Sequence, residues 1–70
     1  MSVAYDNFVA DVPGKVDAMQ TALETSFNSF FSGMTEAEKK QAQTKVLEYK
    51  AVTPRQIHAR KTVLRLIQSY

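Results

Sequence analysis

The chain has 70 residues, 44% of them hydrophobic and 23% charged, with two glycines, two prolines and no cysteine. That length holds at most one domain, which excludes a two-lobed enzyme, and the composition is globular rather than disordered or collagen-like. Without cysteine there are no disulfides, zinc thiolates or cysteine nucleophiles, and a net charge of +2 is low for a dedicated nucleic-acid binder.

Four helical segments are predicted within one domain, residues 1–70, and no strand, because no stretch alternates apolar and polar residues with β-branched enrichment. The first is short, about 3–10. Asp11-Val12-Pro13-Gly14 follows as a turn or helix start, since Asp caps helices and Pro is tolerated in a first turn. The second segment, about 13–32, is the most periodic. Val12, Val16, Met19, Leu23, Phe27, Phe30 and Met34 recur with a mean spacing of about 3.67 residues, the period of a straight bundle helix rather than a left-handed coiled coil. The same register runs back through Val9 and Tyr5, so a helix kinked at Pro13 is the alternative to two separate helices. Ser32-Gly33 marks a helix end, with Gly33 free to take the left-handed conformation.

Thr35-Glu36-Ala37-Glu38 has the form of a capping box and opens the third segment, about 35–50. Its apolar stripe, Ala42, Val46 and Tyr49, is thin, which places it at the edge of a bundle. Thr53-Pro54-Arg55-Gln56 repeats the capping pattern and opens the fourth segment, about 54–69. There Ile57, Ala59, Val63, Leu64, Leu66, Ile67 and Tyr70 cover an arc of about 180°, wider than the ~100° that one surface helix needs. The expected fold is therefore a small all-α bundle of three main helices plus a short or kinked N-terminal one. Its predicted core is Val16, Met19, Leu23, Phe27, Phe30, Val46, Tyr49, Ile57, Leu64 and Ile67.

The charge is lopsided. Residues 1–38 hold six acids and one base, and residues 39–70 hold eight bases and one acid. Acids at the start of the third helix and lysines at its end answer its dipole. Arg55 and His58, however, stand in the first turns of the fourth helix, where an anion is preferred. Asp17 or Glu24, a phosphate, or an acidic patch on another molecule would answer them. Arg55, His58, Arg60, Lys61 and Arg65 are accordingly the candidate contacts to a partner or anion. Arg60 falls inside the apolar arc. It must snorkel out, meet a carboxylate of Asp17, Glu24 or Glu48, or anchor an interface; the breadth of the arc favours the interface. Val63, Leu66 and Tyr70 are the apolar interface candidates, the other reading of the arc being a central helix covered by two neighbours.

No catalytic, cofactor or metal motif is present: His58 is the only histidine, and no phosphate-binding loop, dinucleotide fingerprint, EF-hand or HExxH occurs. A single core below ~70–80 residues rarely supplies more than ~3–5 kcal/mol, so with no staple a partner or self-association is expected. No apolar run approaches the ~18–20 residues of a membrane span, and no targeting signal is read at MSVAYDNF, which leaves the cytoplasm or a macromolecular assembly as the expected place. The leading functional expectation is a non-enzymatic interaction module that self-associates or docks on an acidic partner through its last helix. It would be an adaptor, an inhibitor, or a subunit of an assembly such as a phage particle. The alternative is a DNA-binding helix-turn-helix over residues 35–69. In it Arg55, Gln56, His58 and Ala59 read bases, and Lys61 and Arg65 hold phosphates.

Overall fold

Ser2 and Asp11 start the first two helices in the same way, each with a side-chain oxygen turned onto a free amide. The computed structural model describes residues 2–68, with Glu24 described by its backbone alone. Ser2 Oγ accepts from the Tyr5 N–H at 3.2 Å and caps α1, Val3–Ala10. Asp11 lies outside helical geometry (φ −147°, ψ 65°), and its carboxylate accepts from the Gly14 N–H at 3.1 Å to open α2, Val12–Thr21. The chain thus makes two separate helices at this point, not one kinked helix. Pro13 has no N–H to donate to Val9, and its ring would collide with that carbonyl.

The predicted 20-residue helix over 13–32 is not formed. α2 stops at Thr21, and Ala22 and Leu23 are extended (ψ 146° and 148°). A four-residue helix α3, Glu24–Phe27, and a 3₁₀ turn, Asn28–Phe31, complete the segment. Two causes act together. Thr, Ser and Asn make up much of residues 21–29, and Thr21 and Ser29 donate their hydroxyls to the carbonyls three residues back, at 3.1 and 2.7 Å, competing with the helical ladder. A straight helix of 20 residues would also extend about 30 Å and carry the phenylalanines past α1. The break instead returns Phe27 and Phe31 to the core, where Phe31 stacks on Phe8 (centroids 5.7 Å apart) and meets Phe27 edge-on at 6.1 Å. Burying one such ring is worth about 1.5–3 kcal/mol, more than the helical propensity lost. The cost falls on Leu23, an expected core residue that the break turns outward to 74% exposure.

Gly33 takes φ +87°, as the sequence predicts. Thr35 and Glu38 form the full capping box of α4, Glu36–Glu48: Glu38 N–H to Thr35 Oγ1 at 3.1 Å, Thr35 N–H to Glu38 Oε1 at 2.9 Å. Thr53 and Gln56 do the same for α5, Pro54–Gln68. Gln56 N–H donates to Thr53 Oγ1, and Gln56 Oε1 accepts from both Val52 and Thr53 N–H, all at 3.1 Å. Among the described residues there is no strand.

The core is one continuous cluster in which Phe8, Val16, Met19, Phe27, Val46 and Val63 are fully buried. Of the other predicted core residues, Phe30, Tyr49, Leu64 and Ile67 are half-buried against this cluster, and Ile57 is half-buried. α5 packs on both α2 and α4, and α4 packs also on α1. The short α1 contributes Tyr5, on the apolar register read from the sequence, and Phe8, which that register passes over.

Candidate functional site

α5 turns Ala59 and Val63, at 3% and 0% exposure, to the core. Arg55, His58, Lys61 and Arg65 are exposed, at steps of three, three and four residues; the last three lie away from the core, while Arg55, four residues before Ala59, lies on the side toward α2. At 1.5 Å per residue this stripe runs about 15 Å. The helix has no acid of its own. Its first-turn amides are served by the Thr53–Gln56 box, so the cations at its start are not answered by an anion on the helix.

Arg55 is answered by α2: its Nη2 lies 3.0 Å from Asp17 Oδ1. Both side chains are mostly exposed (75% and 55%), so the pair is worth only about 0.2–1 kcal/mol. His58 and Lys61 stand in solvent.

Arg60 is half-buried, and its Nη1 donates to the carbonyl of Tyr49 at 2.6 Å; among the described side chains it meets no carboxylate. Tyr49 is the residue at which α4 ends. The last carbonyls of a helix have no intrahelical acceptor role to fill and sit at its negative end, which suits a cation. Arg60 therefore closes α4 from the neighbouring helix.

The chain itself covers the apolar arc in part: Ala59 and Val63 are buried, and Ile57, Leu64, Leu66 and Ile67 are half-buried. Val63, an interface candidate from sequence, is buried inside, and Leu66 is half-buried against the core; Tyr70 lies outside the described residues. Two helices, α2 and α4, flank α5 and account for the width of the arc. Three of the base-reading residues named for the helix-turn-helix alternative are engaged within the chain. Ala59 is buried, Gln56 spends its side-chain oxygen on the cap, and Arg55 is paired with Asp17.

One polar group escaped sequence reasoning in part. Glu38, expected as a capping residue, is only 6% exposed, and its second oxygen accepts from Ser2 N–H at 2.8 Å. The Thr35 and Ser2 amides hold its carboxyl down at about 2, so a buried carboxylate ties the start of α1 to the start of α4. Nothing local in the sequence announces a partner 36 residues away.

Among the described residues no group of three or more His, Cys, Asp or Glu side chains is placed to hold a metal ion, and no helix is long and apolar enough to cross a membrane. No protein-family model, curated protein or solved structure matches this chain.

Proposed function

We propose that this protein is a small, non-enzymatic helical module that binds an acidic protein partner through the exposed basic face of α5. The observation that carries the reading is the exposed stripe of His58, Lys61 and Arg65 on a helix without acids, in a half of the chain where Glu48 is the one acid after residue 38. Complementary charge of this kind speeds encounter and selects partners more than it adds affinity.

Affinity purification from the native host, with wild type beside a Lys61→Glu/Arg65→Glu double variant, tests the reading. A protein retained by wild type, lost with the double variant and released by salt supports it. Retention that disappears on nuclease treatment moves the function to nucleic-acid phosphates. Equal retention by both forms removes the basic face from the function. A solution mass well above the 7.9 kDa of one chain, unchanged in the double variant, favours self-association through another surface.

A further inference from the structure

A cleft of about 410 Å³, open to solvent, lies between the 3₁₀ turn, α4 and the end of α5. Its volume falls within the ~300–1,000 Å³ of small-molecule sites. Phe31, only 7% exposed, and the half-buried Ile67 give it an apolar floor. Ring contacts to Phe8 and Phe27 hold Phe31 in place, so that part of the floor is formed before any ligand arrives.

The polar side chains that line the cleft fall into two sets. Glu36 and Lys39 are spent on each other, with Oε1 and Nζ 3.3 Å apart. Lys40, Asn28 and Gln43 make no side-chain hydrogen bond or ion pair to another described residue. Lys40 and Asn28 are exposed and Gln43 is half-buried. The unengaged groups are thus one ammonium and two carboxamides, each of which donates N–H bonds. One carboxylate and two ammonium groups leave the lining with a single net positive charge. An ionised carboxylate brings the matching charge and only accepts hydrogen bonds.

We propose that this cleft binds a small monocarboxylate with an apolar body, an aryl- or medium-chain alkanoate. Its hydrocarbon part covers Phe31 and Ile67, and its carboxylate meets Lys40, with Asn28 and Gln43 as further donors. The lining selects this chemistry over its neighbours. An apolar floor gives nothing to inorganic phosphate, and one unengaged ammonium does not balance a phosphate dianion. An amine or a quaternary ammonium would be repelled by Lys40. None of His58, Lys61 and Arg65 lines the cleft, so this is a second site, independent of a protein partner held by the basic face of α5.

Titration of the isotope-labelled chain with hydrocinnamate and octanoate, beside the uncharged hydrocinnamamide and inorganic phosphate, tests the proposal by amide resonance shifts. Saturable shifts are expected at Asn28, Phe31, Gln43 and Ile67, with a Kd on the order of 1 mM for ligands of this size in an open cleft. Hydrocinnamamide should bind about threefold more weakly than hydrocinnamate, and Lys40→Gln should weaken both acids by about the same factor, the worth of one exposed ion pair. Lys40→Gln should leave the affinity for hydrocinnamamide unchanged. Lys40 is exposed, so the melting temperature of the variant should match wild type, which separates lost binding from lost folding. Equal binding of the acid and its amide, or of the acid by wild type and Lys40→Gln, overturns the proposal. So do shifts that stay linear in ligand concentration, and so does phosphate that shifts the same four amides as strongly as the acids. Shifts confined to His58, Lys61 and Arg65 overturn the cleft while leaving the basic-face reading in place.

Discussion

The carboxylate of Glu38 bonds two helix starts at once: Oε1 accepts from Thr35 N–H at 2.9 Å and Oε2 from Ser2 N–H at 2.8 Å. Ser2 in turn caps α1 through its hydroxyl. The free amides of two helices, far apart in sequence, thus converge on one negative charge, which is where both dipoles prefer it. The tie fixes α1 on α4 and lets Tyr5 and Phe8 enter the core.

The pH dependence of stability should carry the mark of Glu38. Its carboxyl lies near 2 in the folded state against 4.5 ordinarily, so between those values the unfolded chain binds the extra proton. Stability from this group is full above about pH 4.5 and falls as pH drops toward 2. Urea melts across pH 2–7 should show a steeper acid limb for wild type than for Glu38→Gln, which keeps an acceptor but has no charge to lose. Coincident acid limbs would show that the tie does not depend on the carboxylate.

Leu23 and Phe27 were equivalent in the sequence and are opposite in the structure. Leu23→Ala should change stability by less than about 0.5 kcal/mol, as surface substitutions do. Phe27→Ala should cost about 3–5 kcal/mol, enough to unfold a domain of this size. Thermal melts of the two variants decide it; equal losses would mean that the helix continues through residue 23.

That contrast also marks how far the sequence could be read. The all-α class, the turn at Asp11, the left-handed Gly33 and both capping boxes rest on chemistry within four residues, and each is present. The break at Ala22-Leu23 depends on Phe27 and Phe31 reaching Phe8, a contact across some 20 residues that no window on the sequence contains. The stripe from Val12 to Met34 marks Val16, Met19, Phe27 and Met34 correctly as buried, but places Leu23 inside and passes over Phe31, because it assumes that one helix carries them all. The same limit applies to the candidate site. The cations of α5 were legible as a face, and Asp17 as a partner for Arg55. The fate of Arg60 was not, because its acceptor is a backbone carbonyl, and carbonyls leave no trace in residue identity.

Gly33→Ala should be destabilising by about 1 kcal/mol, the cost of an L-residue at positive φ. The backbone there has φ +87°, and an added Cβ would lie 3.3 Å from that of Ala4, so neighbouring α1 must also give slightly. Chemical denaturation of Gly33→Ala beside Gly33→Asn checks the cause. Asn tolerates the left-handed region better than Ala, so it should recover part of the loss if conformation dominates.

Arg60 closes the end of α4, and its loss should appear as stability rather than as binding. A hydrogen bond to a charged group contributes about 1.5–3 kcal/mol, and here the donor is half-buried and 2.6 Å from the Tyr49 carbonyl. Arg60→Ala removes both the bond and the aliphatic stem that covers the core, and should lower stability by about 2–3 kcal/mol. Arg60→Met keeps most of the stem and should recover about 1 kcal/mol of that loss. Neither variant should alter the affinity of a partner held by the exposed face, provided binding is measured well below the melting temperature, because Arg60 points at α4 while Lys61 and Arg65 point outward. Denaturation curves set beside binding isotherms for the two variants separate the roles. A variant that melts like wild type yet fails to bind would return Arg60 to the interface and leave the α4 end closed by other means.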